Sequence, residues 1–186
     1  NDLILINFGI NLTDGNITIE ELRAFGNPDF GILFKEKGEP RSAQDVIRFF
    51  EAIIIFYQAW QASPQKDKIN NWILKPIFNI DLNDGIQISD INAFGKNTGP
   101  EFNPLFDENG KLKDEQAIKK TIEFYEAVVT LIGKVQKQGL EKEFFSVYGI
   151  DLTKLTADDL KALAKIIVDK NGKPDIVLHG EAKRIA

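Results

Sequence analysis

Two stretches of the chain repeat the same alternation of apolar and polar positions at helical spacing. In the first, Gln44, Arg48, Glu51 and Gln58 form a polar stripe beside Phe49, Phe50 and Ile53. In the second, Lys119, Glu123, Glu126 and Thr130 form the matching stripe beside Phe124, Tyr125 and Val128. That period predicts two long amphipathic helices. Ser42-Ala-Gln-Asp45 opens the first with a hydroxyl that can cap backbone N–H groups and an acid in the first turn, and Asp114-Glu115 opens the second in the same electrostatic sense. Ser63-Pro64 reads as an N-cap with proline at the first helical position, opening an exit helix toward Trp72 and Leu74 that Pro76 should end. Thr156-Ala-Asp-Asp159 reads as the cap of a further short helix.

Laying the chain on itself shows why these patterns recur. Phe8-Gly-Ile-Asn-Leu-Thr-Asp-Gly15 is answered by Phe78-Asn-Ile-Asp-Leu-Asn-Asp-Gly85, and then by Tyr148-Gly-Ile-Asp-Leu152. Phe8, Phe78 and Tyr148 are 70 residues apart in turn. The match continues, after dropping Asn16, through Ile17 to Gly26, Ile86 to Gly95 and Leu155 to Leu163. A second block, Leu33 to Gly38, returns as Leu105 to Gly110 and Ile167 to Gly172, and Arg48 to Ile53 returns as Glu123 to Val128. Three blocks recurring in one order indicate a tandem duplication. The expected fold is mainly α, one domain over residues 1–186. It would be built from tandem helix–loop–helix repeat modules with short β contacts or hairpins at the loops. The repeats span 8–77, 78–147 and 148–186, about two and a half copies with a period near 70. The duplicated positions Leu12/Leu82, Leu22/Ile91 and Phe25/Phe94 should be core.

The third copy stops before its long helix, so Leu160, Leu163, Ile166 and Ile167 need another cover. Leu3 to Ile6 from the same chain is the expected one, because intramolecular packing costs no association entropy. A second copy of the chain and a separate partner are the alternatives.

Composition narrows the chemistry. The 186 residues include no cysteine, which removes disulfides, thiolate metal sites and thiol nucleophiles. The one histidine, His179 beside Gly180, excludes any mechanism needing a histidine pair. A net charge of −5 argues against nonspecific binding to nucleic acid or anionic lipid. No apolar run approaches the ~18 residues of a membrane span. The chain has no methionine and begins at Asn1, which fits removal of a secretory leader and a secreted or cell-envelope location.

Asp14-Gly-Asn-Ile-Thr-Ile-Glu-Glu-Leu22 resembles the second half of an EF-hand calcium loop and its exit helix. The resemblance implies calcium held by carboxylates, with Asp14 before the turn glycine and Glu21 closing the site. In the second copy it implies Asp81, Asn83 and Asp84 as early ligands, with Asp90 closing. Asp107-Glu-Asn-Gly110 and Asp169-Lys-Asn-Gly172 carry the polar-turn half of the pattern. The sequence departs from the family at Ile10 and Leu12, which occupy the first and third ligand positions of the first loop, and at Lys154, Lys35 and Lys37. The other reading is local: Ile10-x-Leu12 and Ile17-x-Ile19 alternate around Asp-Gly, and two apolar runs flank Asn171-Gly172, as in β-hairpins.

Glu51 and Glu126 recur inside apolar helices and could face one another as in an acid–base or dimetal site. The positions three residues on, where a dimetal bundle places histidine, are Ile54 and Val129, so the solvated stripe is the simpler reading. The expected function is therefore non-catalytic: an extracellular or envelope-associated binding or structural repeat module with a protein partner, monomeric, or else a homo-oligomer. A calcium-dependent module is the alternative, and an enzyme with a helical carboxylate site comes third.

Overall fold

The computed structural model describes residues 42–95 and 102–167. Across them the chain is mainly helical: α1 (Ala43–Ala62), α2 (Lys66–Ile69) running directly into a π-helical segment (Asn70–Phe78), α3 (Ile88–Gly95), α4 (Glu115–Gln138), α5 (Glu141–Tyr148) and α6 (Ala157–Ile166). The sole β feature among the described residues is one antiparallel bridge between Phe106 and Leu112. The expected contributions of Asp14-Gly15, Asn171-Gly172, His179 and the Leu3 to Ile6 cover lie outside the described residues, as do Leu12, Leu22 and Phe25.

Local chemistry starts the helices where the caps predict. Ser42 accepts the Asp45 N–H on its hydroxyl at 3.1 Å, and Asp114 accepts the Ala117 N–H at 2.8 Å. Thr156 and Asp159 form a reciprocal capping box at the head of α6. The exit helix differs from expectation at both ends. Ser63 closes α1 instead of opening α2, its N–H donating to the Trp60 carbonyl at 3.0 Å. α2 starts three residues later at Lys66, and the Ser63 hydroxyl receives the Gln65 N–H at 3.1 Å. Pro76 does not stop the helix, which continues through Phe78 with the proline inside it. A proline ring strains an α-helix against the carbonyl four residues back, and the wider π turn relieves that crowding. The helix stops at Asn79, whose left-handed backbone (φ 56°) turns the chain into the next loop.

α4 is the hub. It packs against α1, α2, α5 and α6. Tyr125, Val128, Val129 and Ile132 present its buried face, and Phe50, Ile53 and Phe56 do so for α1. Phe94 of α3 meets Phe56 edge-on at 5.4 Å, and Phe124 packs on Phe102 at 4.4 Å. Leu82, Ile91 and Phe94, the second-copy members of the three core pairs, are each at most 1% exposed. Leu160 and Leu163 are fully buried and α6 rests against α4, so α4 supplies part of their cover. That arrangement was not among the expected covers. No helix among the described residues is long and apolar enough to cross a membrane.

Candidate functional site

The described loop with the richest set of expected ligands joins the π segment to α3. Leu82 to Gly85 make a tight turn, the Gly85 N–H reaching the Leu82 carbonyl at 3.2 Å with Gly85 at φ 82°. Asp81 and Asp90 come together here, but through the backbone. Asp90 Oδ1 accepts the Asp81 N–H at 2.8 Å, and Asp90 Oδ2 accepts the Gln87 N–H at 2.8 Å. Its carboxyl is pushed upward by burial, against the pull of those two N–H groups. Asp81 Oδ1 accepts from the Asn70 side chain at 2.9 Å and Oδ2 from Lys75 Nζ at 2.7 Å. Those bonds, the Lys75 one first, hold its carboxyl down to about 2. Asn83 and Asp84 are exposed on the turn. Asn83 gives its N–H to Asp81 Oδ1 at 3.3 Å, and the Asp84 carbonyl accepts from Gln87 Nε2 at 3.2 Å.

Calcium needs six to eight oxygens converging with free lone pairs. Here all four carboxylate oxygens of Asp81 and Asp90 already accept protein donors, one of them an ammonium. No group of three or more acidic or histidine side chains placed to hold a metal occurs among the described residues. The loop as folded does not fit the ion. Asp14 and Glu21 lie outside the described residues.

Acids of the described loops have a mechanical role. Asp81, Asp107 and Asp151 each accept the N–H two residues on, from Asn83, Asn109 and Thr153. Asp159, which the repeat aligns with Asp90, accepts the Thr156 N–H at 2.8 Å, three residues back, as Asp90 does with Gln87. Asn79 and Gly149, also aligned, both adopt left-handed backbone. Asp90, the acid expected to close a calcium loop, caps a short helix as Asp159 does.

Glu51 and Glu126 take separate places. Glu51 is exposed, like Gln44, Arg48 and Gln58. Glu126 is half-buried and receives the Ser63 hydroxyl at 2.5 Å.

A groove of about 490 Å³ lies between α1 and the 105–115 turn. Its apolar floor comes from Val46, Phe49, Ala52, Ile55, Phe106 and Leu112, and charged side chains, Arg48, Glu51 and Lys111 among them, line its edge. Phe49 and Phe106 stack at 6.3 Å to join the two sides. The turn is rigid: the Asp107 carboxylate takes the N–H groups of Asn109 and Lys111, and Lys113 N–H returns to the Leu105 carbonyl at 2.8 Å. Lys113 Nζ reaches inward to the Asn103 carbonyl at 2.6 Å and Thr121 Oγ1 at 2.9 Å. Burial lowers that amine to about 8. Sequence reasoning missed this groove, because its walls come from segments more than fifty residues apart and the helical pattern assigns Phe49 and Ala52 simply to core.

No family model, no curated protein and no solved structure matches the chain.

Proposed function

We propose that the chain is a non-catalytic, extracellular or envelope-associated binding module of tandem helix–loop–helix repeats, which takes an apolar segment of a partner protein in the groove between α1 and the 105–115 turn. The observation that carries this reading is the groove itself: an apolar, aromatic floor inside a rim of mixed charge, the usual division of labour at protein interfaces. Support for the repeat comes from the matched left-handed caps Asn79 and Gly149 and the matched capping acids Asp90 and Asp159. The non-catalytic reading is supported by the lining, which offers no serine, threonine, cysteine or histidine side chain as nucleophile or base.

The test is a selection of displayed random peptides on the whole protein, with Phe49→Asp as the counter-target. Enriched peptides should carry large apolar side chains and shift the resonances of Val46, Phe49, Ile55, Phe106 and Leu112. Peptides that bind wild type and Phe49→Asp equally would remove the groove from the reading.

A further inference from the structure

A second, smaller pocket of about 250 Å³ opens where the π segment, the end of α4 and the loop before α6 meet. Asn71, Trp72 and Pro76 come from the π segment, Gln136 from α4, and Leu152, Thr153 and Leu155 from the loop. None of these seven side chains is charged. We infer that this pocket binds one ring of a neutral saccharide, with Trp72 as the stacking surface.

The lining chemistry selects the ligand. An anion would find no cation in the lining, and a cation no carboxylate. A purely apolar group would bury the amides of Asn71 and Gln136 and the Thr153 hydroxyl without replacing their water, at the cost of unmade hydrogen bonds. A pyranose meets both demands: its C–H face lies on indole, leucine and proline, and its hydroxyls reach the amides. The Asn71 side-chain oxygen is already used, accepting from Asn70 and Asn83, which leaves the N–H groups of this exposed amide as donors without a partner among the described residues. Thr153 gives its proton to Asp151 at 2.6 Å, so its oxygen is presented as an acceptor. The volume is below the ~300 Å³ where pockets for drug-sized ligands begin, which suits a single ring better than a peptide.

Lys68 Nζ lies over the Trp72 ring at 5.5 Å, steadying the indole.

The experiment is a titration of the ¹⁵N-labelled whole chain with glucose, galactose, mannose and N-acetylglucosamine, following the two indole N–H resonances. At least one sugar should move the Trp72 signal saturably at roughly millimolar affinity. Trp60, which is buried and bonded to the Lys66 carbonyl, should stay still. The response should survive high salt, because no charge lines the pocket. Trp72→Lys, which removes the stacking surface, should abolish it. Should that variant not fold, Gln136→Ala and Thr153→Val should each weaken it several-fold. Silence of the Trp72 resonance with every sugar would overturn the inference, as would a response that persists in Trp72→Lys or a larger one to a proline-rich peptide.

Discussion

Asp90 holds the backbone N–H of Asp81 on one carboxylate oxygen at 2.8 Å, closing the loop that precedes α3 across nine residues of chain. Its other oxygen holds Gln87. Asp90 itself is 3% exposed, so those two N–H groups have little water to turn to if it is removed. Asp90→Ala should cost about 1–3 kcal/mol in urea unfolding, the range for orphaned buried donors and lost caps. Millimolar calcium should leave the wild-type midpoint unchanged. A rise in midpoint with calcium that Asp90→Ala removes would show the carboxylate changing partners to bind the ion.

Asn70 should matter as much. It is completely buried, its Oδ1 accepting the Leu82 N–H at 2.8 Å and its Nδ2 donating to Asp81. Asn70→Ala leaves the Leu82 N–H unpaired in the core, again at about 1–3 kcal/mol. Asn70→Asp keeps an acceptor for Leu82 but sets a second carboxylate against Asp81, so it should be no better. A variant within ~0.5 kcal/mol of wild type would mean that water enters and replaces the amide.

How much of this was legible beforehand depends on how far each side chain reaches. Ser42, Asp114 and Thr156 act on N–H groups three residues away, and their roles as caps can be read from the chain directly. Leu82, Ile91 and Phe94 follow from periodicity. Ser63 was misread because its decisive partner, Glu126, is 63 residues distant. Pro76 was misread because the π register that accommodates it is not a local preference. The Asp90 case is subtler: a carboxylate that caps a helix and one that closes a metal loop occupy the same kind of position, and only the direction of neighbouring N–H groups tells them apart.

Acid should act through Asp81. Its carboxyl is held at about 2 in the folded chain against an ordinary value of 3.8, chiefly by Lys75 and then Asn70. A folded value below the unfolded one means the contribution is complete above about 4 and fades as pH falls through 2. Asp81→Asn should therefore lose its stability difference from wild type across that interval. The side chain is more than a third exposed, so solvent screening keeps the effect small. A difference between the two proteins that stays constant from neutral pH to pH 2 would remove Asp81 as the titrating group.

Lys113 should produce a dependence of the same sign at the alkaline end. Its amine is lowered to about 8 from an ordinary 10.5, by burial. Between those values the unfolded chain holds a proton that the folded chain has released, so stability rises with pH across that window. Lys113→Met has no such proton. Wild type should therefore gain on Lys113→Met from pH 8 upward, by about 1–3 kcal/mol at most. Parallel pH profiles for the two proteins would mean that the folded amine titrates like an exposed lysine.

The contact between Ser63 and Glu126 ties the end of α1 to the middle of α4, and it can be tested as a pair. The Ser63 hydroxyl donates to Glu126 Oε1 at 2.5 Å while accepting the Gln65 N–H, so one oxygen fastens both the interhelical contact and the start of the turn into α2. Ser63 is 5% exposed, and a hydrogen bond to a carboxylate in such a place is worth more than a neutral one. Ser63→Ala removes both bonds and leaves a half-buried carboxylate without its donor; Glu126→Ala removes the acceptor and leaves the hydroxyl free to turn toward the backbone. Each should destabilise by about 1–3 kcal/mol, the serine variant more. In the double variant the losses should fall short of additive by roughly 1 kcal/mol or more, the mark of a shared interaction. Additive losses would show that Glu126 is held by water, and that the two helices are joined through their apolar faces alone.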